Sequence, residues 1–376
     1  MNLSVYAVAV MGWLLSTVTT APVSSLGGIC LAMRRNGPAL CPTDRVQQIS
    51  VPRAVVLPVL QVQPVEYPSF TGDDMMVTPD VYAWVDDYTP VYRHPAEANA
   101  GLPPVRVTQP GFTYVSLEGE TRYEGQHWYQ VNVKPSRPST LTEEWVLDRW
   151  VHLVKPSTFV GAQLAEQPTN PFAWVLRNVQ PSSVPGGPPI SSYPLRTRYE
   201  RVIIYGLEKV GTRTWYLVDA NQWIQQTYLG IVDVSARPAA VSPDEKWIEV
   251  DLYEQTLAAY KGDQMVFATL VSSGLPQWET RRGLFRIWGK VYIAKMSGRE
   301  GKPDYYHLED VPWTMYFDGE IGLHGAYWHD GFGYRRSHGC VNLAPVAARW
   351  LWDWTDPHVP EGLDWISSTG TWVWVH

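Results

Sequence analysis

Two short segments near the C-terminal end carry residue types that can do covalent chemistry. The first is residues 322–325, with the letters GLHG, and the second is residues 337–343, with the letters SHGCVNL. A cysteine becomes a strong nucleophile when a nearby base or positive charge favours its thiolate. Cys340 has one histidine, His338, two positions before it and another, His324, sixteen positions before it. The residue types and their spacing therefore predict a cysteine nucleophile with a histidine base.

The backbone around Cys340 adds features that acyl transfer needs. In an extended chain residues i and i−2 share a face, so His338 would point to the same side as the thiol, while His324 would approach from a neighbouring strand. Gly339 leaves room for a substrate carbonyl beside the backbone, and the N–H groups of Gly339 and Cys340 are then the candidate oxyanion donors. Arg336 supplies, together with the arginine before it, positive charge that favours the thiolate and attracts a carboxylate.

Two other interpretations of the same residues stay open. An isolated cysteine is most often an inert buried thiol. His324, His338 and Cys340 are also all zinc-ligand types, although a His-x-Cys pair is unusual for zinc and the sequence offers no evident fourth ligand. Polar rather than apolar residues surround Cys340, which favours the nucleophile over both of these interpretations.

Alternating hydrophobicity predicts that a mostly β domain positions these residues. From Trp247 apolar and acidic residues alternate as in a half-buried strand, and a hairpin with a glycine-containing turn follows over residues 256–271. One helix is predicted at Pro345–Trp354, because proline is favoured in a first helical turn and Ala, Arg, Leu and Trp follow it. Further short strands are predicted at Leu284–Trp288, Val291–Met296, Trp313–Phe317, Ile321–His324 and Thr371–Val375.

The motif and its surroundings resemble the L,D-transpeptidase catalytic domain of the YkuD type, over residues 245–376. That family's active-site signature is similar to the order seen here, in which HG is followed by a loop and then by SHGCxN. The strand and hairpin from Trp247 are similar to the family's opening elements. The resemblance implies a β-sandwich with one packed helix, in which Cys340 is the nucleophile and His324 the general base. It further implies pocket, oxyanion or substrate-contact roles for Gly325, Ser337, His338, Gly339 and Asn342, to which the charge argument adds Arg336.

The implied reaction is acyl transfer on peptidoglycan stem peptides, in cell-wall biogenesis and cell shape. Cys340 attacks the carbonyl before the terminal D-Ala of a tetrapeptide donor stem, D-Ala leaves, and an amine of another stem resolves the thioester as a 3→3 cross-link. Resolution by water would instead give an L,D-carboxypeptidase, and a non-catalytic cell-wall-binding protein is the alternative from another class. The family needs no metal or organic cofactor and is acylated by carbapenems at this cysteine. His329, on the loop between the segments, is either a substrate contact or a loop-stabilising residue.

A duplicated aromatic pattern precedes the predicted catalytic domain. YAWV at 82–85 recurs as FAWV at 172–175, and WYQV at 128–131 recurs as WYLV at 215–218. Trp150-Val151 is taken to correspond to Trp223-Ile224. Alternation with Gly, Pro and Asp breaks predicts a small β-barrel-like module over 73–157 and another over 168–235. The modules resemble bacterial Src-homology-3-like domains, which implies binding to wall glycan. Tryptophans that serve only as barrel core are the alternative.

The N-terminal end bears on the compartment. Residues 1–33 have no charged side chain and contain an apolar run followed by small residues, which predicts a signal peptide or a membrane anchor. A buried segment of a cytosolic protein is the alternative. Residues 34–72 are rich in proline and valine and are expected to form an extended linker. The protein is thus expected to be exported to the cell wall or periplasm, where Cys30 and Cys41 can form a local disulfide and Cys340 stays free.

Composition limits the classes of partner. The chain has 376 residues, a formal net charge of −7 and 45% hydrophobic residues. The negative charge argues against a nucleic-acid-binding protein that works by neutralising phosphates. The apolar content is ample for packed cores, and it excludes a disordered or collagen-like protein.

Overall fold

The structure, a computed structural model, describes residues 60–64, 81–131 and 143–376. All of these fall within a single structural unit, Val56–His376. They are mostly β, as predicted, and include two α-helices. None of the helices in these ranges is long and apolar enough to cross a membrane. The predicted signal or anchor at 1–33, the Cys30–Cys41 disulfide and most of the predicted linker lie outside the described residues.

Residues 81–154 form a first, mainly antiparallel array of strands. Its elements are β1 (Val81–Val85), β2 (Pro90–Val91), α1 (Pro95–Asn99), β3 (Arg106–Val107), β4 (Phe112–Tyr123), β5 (Gln126–Val131), β6 (Glu144–Leu147) and β7 (Val151–Val154). The strand order is β7-β1-β4-β5-β6, and β2 pairs with β3. Val85, Val115 and Val131 contribute to its small core. The described part of the predicted linker is joined to this array by a bridge between Gln63 and Glu120 on β4.

Residues 162–232 hold the second set of strands. Its elements are β8 (Ala162–Gln163), β9 (Phe172–Val175), β10 (Arg201–Ile203), β11 (Gly206–Val210), β12 (Arg213–Asp219), β13 (Gln222–Gln225) and β14 (Leu229–Val232). One sheet has the order β10-β9-β14 and another the order β11-β12-β13. Val175 from the first sheet and Val218 and Ile224 from the second share one core, so β9 to β14 form a second array.

The predicted duplication extends to the strand register. Tyr82 on β1 pairs with Val154 on β7, and Phe172 on β9 pairs with Val232 on β14. The last residues of the repeated segments also pair alike: Val85 with Val151 in the first array, and Val175 with Leu229 in the second. The two arrays are therefore built on the same strand pairing.

In the duplication, Trp223 of the second array corresponds to Trp145 of the first. The predicted correspondence of Trp223 to Trp150 is wrong. Trp145 on β6 pairs with Gln130, and Trp223 on β13 pairs with Leu217; both partners lie two residues after the tryptophan of the repeated WYxV segment. Trp150 instead ends a 3₁₀ turn before β7. The two Trp-hydrophobic dipeptides of the first array are alike in sequence, and the longer connection between β5 and β6 hides which of them matches.

The C-terminal strands form the largest part of the molecule. The elements are β15 (Lys246–Asp251), β16 (Thr256–Lys261), β17 (Gln264–Ser272), β18 (Gly283–Arg286), β19 (Gly289–Gly298), β20 (Tyr306–Asp318), β21 (Ile321–Gly325), β22 (Val341–Leu343), α2 (Pro345–Trp354), β23 (Trp365–Ser367) and β24 (Trp372–Val375). The order is β18-β24-β15-β16-β17-β22-β21-β20, and β19 pairs with β20 and β23. The rings of Phe285 on β18 and Phe317 on β20 lie 5.5 Å apart. The sheet therefore curls around a core that includes Trp247 and Leu323.

Helix α2 has the bounds that the sequence predicts, Pro345–Trp354. Its buried residues lie on one face, as the helical period requires, and the helix packs against β20 and β21. At its C-terminal end buried Lys290 donates to the carbonyls of Trp352 at 2.5 Å and Thr355 at 3.0 Å. A cation is favourable at this end of a helix, but desolvation still lowers the pKa of Lys290 to about 8.

Both N-terminal arrays touch the C-terminal sheet. Strand β4 runs parallel to the first residues of β20, with Phe112 opposite Tyr306 and Tyr114 opposite Leu308. Strand β8, on the connection between the arrays, pairs with β17, where Gln163 lies opposite Phe267. In the second array, the N–H of Ile231 on β14 donates to the carboxylate of Glu254 at 3.0 Å. The described chain is thus continuous in hydrogen bonding from the first array to the strands that carry the motif.

Candidate active site

Strand pairing brings the predicted nucleophile and the predicted base together. His324 lies on β21, and Cys340 directly precedes β22. The two strands run parallel, with Leu323 opposite Val341 and His324 opposite Asn342. Because residues two positions apart in a strand share a face, Cys340 and His324 are directed to the same side of the sheet from neighbouring strands.

Cys340 carries a neutral thiol in the resting protein. The residue is partly exposed, and its Sγ lies 3.9 Å from the backbone oxygen of Glu320. Desolvation by the surrounding protein raises the pKa of the thiol to about 11, and the backbone N–H of Gly322 opposes this by favouring the thiolate. The Glu320 carboxylate raises the pKa further. Formation of the thiolate at neutral pH therefore requires a base.

His324 presents a neutral imidazole that can act as this base. The residue is 2% exposed, and its burial lowers the pKa to about 4, which the backbone of Gly325 opposes only in part. Its Nδ1 makes no hydrogen bond of ordinary length and angle with any described residue. The ring of Trp328 lies 5.7 Å away, centroid to centroid. The thiol of Cys340 and the imidazole of His324 are thus both uncharged near pH 7.

Ser337 organises the turn before Cys340. Its Oγ donates to the carbonyl of Cys340 at 2.5 Å and accepts the N–H of Gly339 at 3.1 Å. The carbonyl of Gly339 accepts a hydrogen bond from Thr280 at 2.7 Å. The structure therefore differs from the expected oxyanion pair, because the Gly339 N–H is already engaged. Of the two predicted oxyanion donors, Ser337 engages the N–H of Gly339 and leaves that of Cys340.

Gly339 occupies a position that only glycine suits. Its φ is +124°, a region that side chains rarely adopt, and a Cβ there would lie 2.7 Å from Cδ1 of Ile321. The glycine of the motif is thus explained by close approach to β21 as well as by its conformation.

Asn342 is held by His329, from the loop between the two motif segments. Nδ1 of His329 accepts the N–H of Gly331 at 3.0 Å, and its Nε2 lies 3.0 Å from Nδ2 of the Asn342 amide. A neutral imidazole that accepts at Nδ1 carries its proton on Nε2, so we assign the amide turned by 180°, with its oxygen accepting from the ring. Desolvation and then the charge of Arg336 lower the pKa of His329 to about 3. These contacts support the loop-stabilising role for His329.

His338 lies in an aromatic wall. Its ring is 3.9 Å from that of Trp278 and 4.9 Å from that of Tyr306, centroid to centroid. Its Nε2 is 4.0 Å from a carboxylate oxygen of Asp304. Desolvation lowers the pKa of His338, and the Asp304 charge opposes this change. These two tilted aromatic contacts support the predicted pocket role rather than proton transfer.

Arg336 extends an exposed guanidinium beside the motif. It packs over Gly331, where any Cβ would collide with its Nε. Within the described ranges Arg336 makes no ion pair, whereas Arg335 pairs with Glu279 at 3.0 Å. A charged group without a counterion fits the expected attraction of a carboxylate.

Sequence reasoning missed several residues of the site. Tyr306 and Tyr316 on β20 lie close enough to Cys340 for its charge to raise their pKa values, after the larger effect of burial. Trp288 stacks on Tyr316 with ring centroids 5.6 Å apart, and Thr280 fixes the Gly339 carbonyl. Aromatic residues of strands are common in cores, so no sequence signal separates Tyr306, Tyr316 and Trp288 from the many others.

The zinc interpretation requires a cluster of ligands. In the part of the chain that the structure describes, no group of three or more His, Cys, Asp or Glu side chains is placed to hold a metal ion.

A comparison with protein-family models decides the class of the C-terminal domain. Residues 245–375 match the model of the L,D-transpeptidase catalytic domain, YkuD. These residues form a YkuD-type domain. The resemblance predicted from the motif is thus confirmed for the L,D-transpeptidase domain, whereas the Src-homology-3-like resemblance of the N-terminal modules stays a prediction.

Solved L,D-transpeptidases are similar to parts of the chain. The NMR structure of the catalytic domain from the E. faecium enzyme is 28% identical, covers 35% of this chain and 98% of that one, and gives a TM-score of 0.29. An L,D-transpeptidase from Stackebrandtia nassauensis is 24% identical and covers 36% of this chain, with a TM-score of 0.25; the match spans 57% of that protein. An L,D-transpeptidase from Mycobacterium smegmatis is 15% identical and covers 71% of this chain and 94% of that one, with a TM-score of 0.30. No curated protein matches the chain.

Proposed function

We propose that the protein is an L,D-transpeptidase that forms 3→3 cross-links between peptidoglycan stem peptides. The observation that carries the proposal is the match of residues 245–375 to the family model. Cys340 and His324 occupy the signature positions in that domain, and the parallel pairing of β21 with β22 supports their cooperation.

The first step forms a thioester on Cys340. His324 takes the S–H proton while the sulfur attacks the carbonyl carbon before the terminal D-Ala of the donor stem. The carbonyl oxygen becomes an oxyanion, to which the Cys340 N–H is available as a donor. When the oxyanion collapses, the C–N bond breaks, and the imidazolium gives its proton to the departing amine of D-Ala. Arg336 is placed to attract a stem carboxylate, because its charge has no counterion among the described residues.

The second step transfers the acyl group to an acceptor. The side-chain amine of another stem attacks the thioester carbonyl and passes a proton to neutral His324. The C–S bond breaks, the amide cross-link forms, and the imidazolium of His324 returns the proton to the sulfur, which restores the thiol of Cys340. No redox change occurs in either step.

We also propose a location and a role for the N-terminal part. The modules expected at 73–157 and 168–235 would hold the exported enzyme on wall glycan, downstream of a signal or anchor at 1–33. Full-length Cys340→Ala protein should then pellet with purified sacculi. Protein that stays in the supernatant would remove the attachment role and leave the reaction at Cys340 unaffected.

Muropeptides test the proposed reaction. Incubation with purified tetrapeptide muropeptides, followed by liquid chromatography and mass spectrometry, should give a cross-linked dimer and one released D-Ala per link. Tripeptide without dimer would replace the transpeptidase by an L,D-carboxypeptidase. The matched control is Cys340→Ala, which should yield neither product.

A further inference from the structure

The loop that joins the two motif segments, residues 326–336, is held by the N-terminal arrays. We propose that these arrays are positioning elements of the active site, in addition to any attachment role: they fix the loop so that Trp328 packs against His324 and His329 holds Asn342. The inference rests on the proposed function of Cys340 and His324. It is carried by two sets of contacts, one from each N-terminal array.

The first array reaches the loop through Tyr82 on β1. Its ring stacks on Tyr327, with centroids 3.5 Å apart and an interplanar angle of 10°, and both residues are fully buried. The hydroxyls anchor both rings to β20, since Tyr82 donates to the carbonyl of Asp310 at 2.8 Å and Tyr327 donates to that of Glu309 at 2.6 Å. Tyr327 is thereby fixed from both sides.

Trp328 transmits this placement to the predicted base. Its ring stands perpendicular to that of Tyr327, at 5.0 Å between centroids, and lies 5.7 Å from the ring of His324. Burial by such apolar neighbours is the main cause of the lowered pKa of His324. Displacement of Trp328 would admit water to the imidazole and change its basicity.

The second array reaches the loop through Asp330. The Tyr199 hydroxyl donates to Oδ1 of Asp330 at 2.9 Å and contacts its backbone oxygen at 3.0 Å. The guanidinium of Arg198 donates to the same backbone oxygen, and Ser157, on the connection between the arrays, donates to Oδ1. Among the described residues, every hydrogen bond to the side chain or carbonyl of Asp330 comes from outside the L,D-transpeptidase domain.

His329 transmits the second set of contacts to the motif. It directly precedes Asp330 and bonds Asn342, which lies opposite His324 and two residues after Cys340. A shift of Asp330 would therefore move a loop side chain that is hydrogen-bonded to β22, two residues after Cys340.

Packing around these bonds leaves the loop little freedom. Phe159 lies 4.3 Å from the ring of Tyr199 and 6.5 Å from that of Phe332. Gly333 has a φ of +92°, and a Cβ there would collide with Leu176, which follows β9. Tyr199 itself has a φ of +67°, which is unusual for a bulky residue and is maintained by its contacts.

The test uses the full-length protein with two substitutions and a matched control. Tyr199→Phe removes both hydroxyl contacts to Asp330 and keeps the ring against Phe159, while Asp330→Ala removes the acceptor. Tyr205→Phe is the control, because Tyr205 is an exposed tyrosine of the same array. Acylation of Cys340 by a carbapenem is followed by intact mass over a range of concentrations, so that the maximal rate and the half-saturating concentration are obtained separately. Imidazole ¹H–¹⁵N spectra report on His324 and His329.

Both variants should lower the maximal acylation rate by about tenfold or more, since small misplacements of a site have effects of this size. The half-saturating concentration should change by less than about twofold, and the His329 resonances should shift. The double variant should lose little more than Asp330→Ala alone, because both changes remove the bond between the Tyr199 hydroxyl and Oδ1 of Asp330. Tyr205→Phe should behave as the unsubstituted protein.

Unchanged acylation in Tyr199→Phe and Asp330→Ala would overturn the inference. Failure of the unsubstituted protein to react would count against the proposed function instead. The histidine spectra would then decide the inference alone: shifted His329 resonances support the positioning role, and unchanged ones contradict it.

Discussion

His324 and Asn342 face each other across the parallel strands β21 and β22, and one loop contacts them both. Trp328 packs near the ring of His324, and His329 is bonded to the amide of Asn342. The loop therefore sets the environment of the predicted base and braces the strand that follows the nucleophile.

Substitution of the two histidines should separate the base from the pocket wall. His324→Ala should lower the acylation rate of Cys340 by about 10² to 10⁴, the usual contribution of a general base. His338→Ala should lower it by less than about tenfold, because its ring packs against Trp278 and Tyr306 as part of the pocket wall. Carbapenem acylation measured by mass spectrometry at neutral pH checks both, with circular dichroism to verify folding. The reverse ranking would assign the base role to His338.

The acylation rate should fall as the pH drops through about 4, and it should show no inflection near pH 6.5, the ordinary histidine pKa. Burial lowers the pKa of His324 to about 4, so the imidazole stays able to accept a proton until the pH falls below that value. The thiol, with its pKa raised to about 11, stays protonated up to that pH and depends on the base throughout. Rates measured from pH 3.5 to 9 test this. An inflection near the ordinary histidine pKa would mean that the working imidazole is solvated.

The local elements could be predicted from the sequence. The strand from Trp247, the glycine turn of the hairpin and the proline at the start of α2 depend on neighbours in sequence, and all three elements appear in the structure. The strand is not half-buried as its alternation predicts, because Glu249 is also buried. The motif positions of Cys340 and His324 could also be assigned, because their types and spacing are unusual. Their placement on adjacent strands then follows from the family's pattern.

Contacts between distant segments could not be predicted. The Gly339 N–H is hydrogen-bonded to Ser337, the Asn342 amide to His329, and the Asp330 carboxylate to Tyr199. Each of these bonds depends on loop conformation or on long-range packing. The parallel pairing of β4 with β20 likewise has no local signal. A single sequence shows which groups are present, whereas their partners are fixed only when the strands assemble.

Ser337→Ala should impair catalysis more than folding. The change releases the Gly339 N–H and removes the bond to the Cys340 carbonyl, so the turn that presents the sulfur loosens. Loss of such buried bonds costs about 1–3 kcal/mol in total, and we expect an acylation rate lower by about tenfold. Ser368→Ala, at an exposed serine, is the control. Equal rates for the two variants would show that Ser337 does not position the nucleophile.

Lys290 should make stability depend on alkaline pH. Desolvation lowers its pKa to about 8 in the folded protein, and the unfolded side chain keeps its proton up to its ordinary pKa of about 10.4. Between these values the unfolded state binds more protons, so this residue should increase the free energy of unfolding as the pH rises, by up to about 3 kcal/mol.

Lys290→Met should lack this contribution. It should also lower stability near pH 7 by about 1–3 kcal/mol, because the carbonyls of Trp352 and Thr355 lose their donor. Urea unfolding of both proteins at pH 7 and pH 9.5 measures the difference. Parallel changes in the two proteins would contradict the assignment of the effect to Lys290.

The central claim is that Cys340 is an acyl-accepting nucleophile, and intact-mass spectrometry after incubation with a carbapenem tests it most directly. We predict one covalent adduct per chain, mapped to Cys340 by peptide analysis and absent from Cys340→Ala. A protein that stays unmodified while its circular dichroism shows the native fold would contradict the claim.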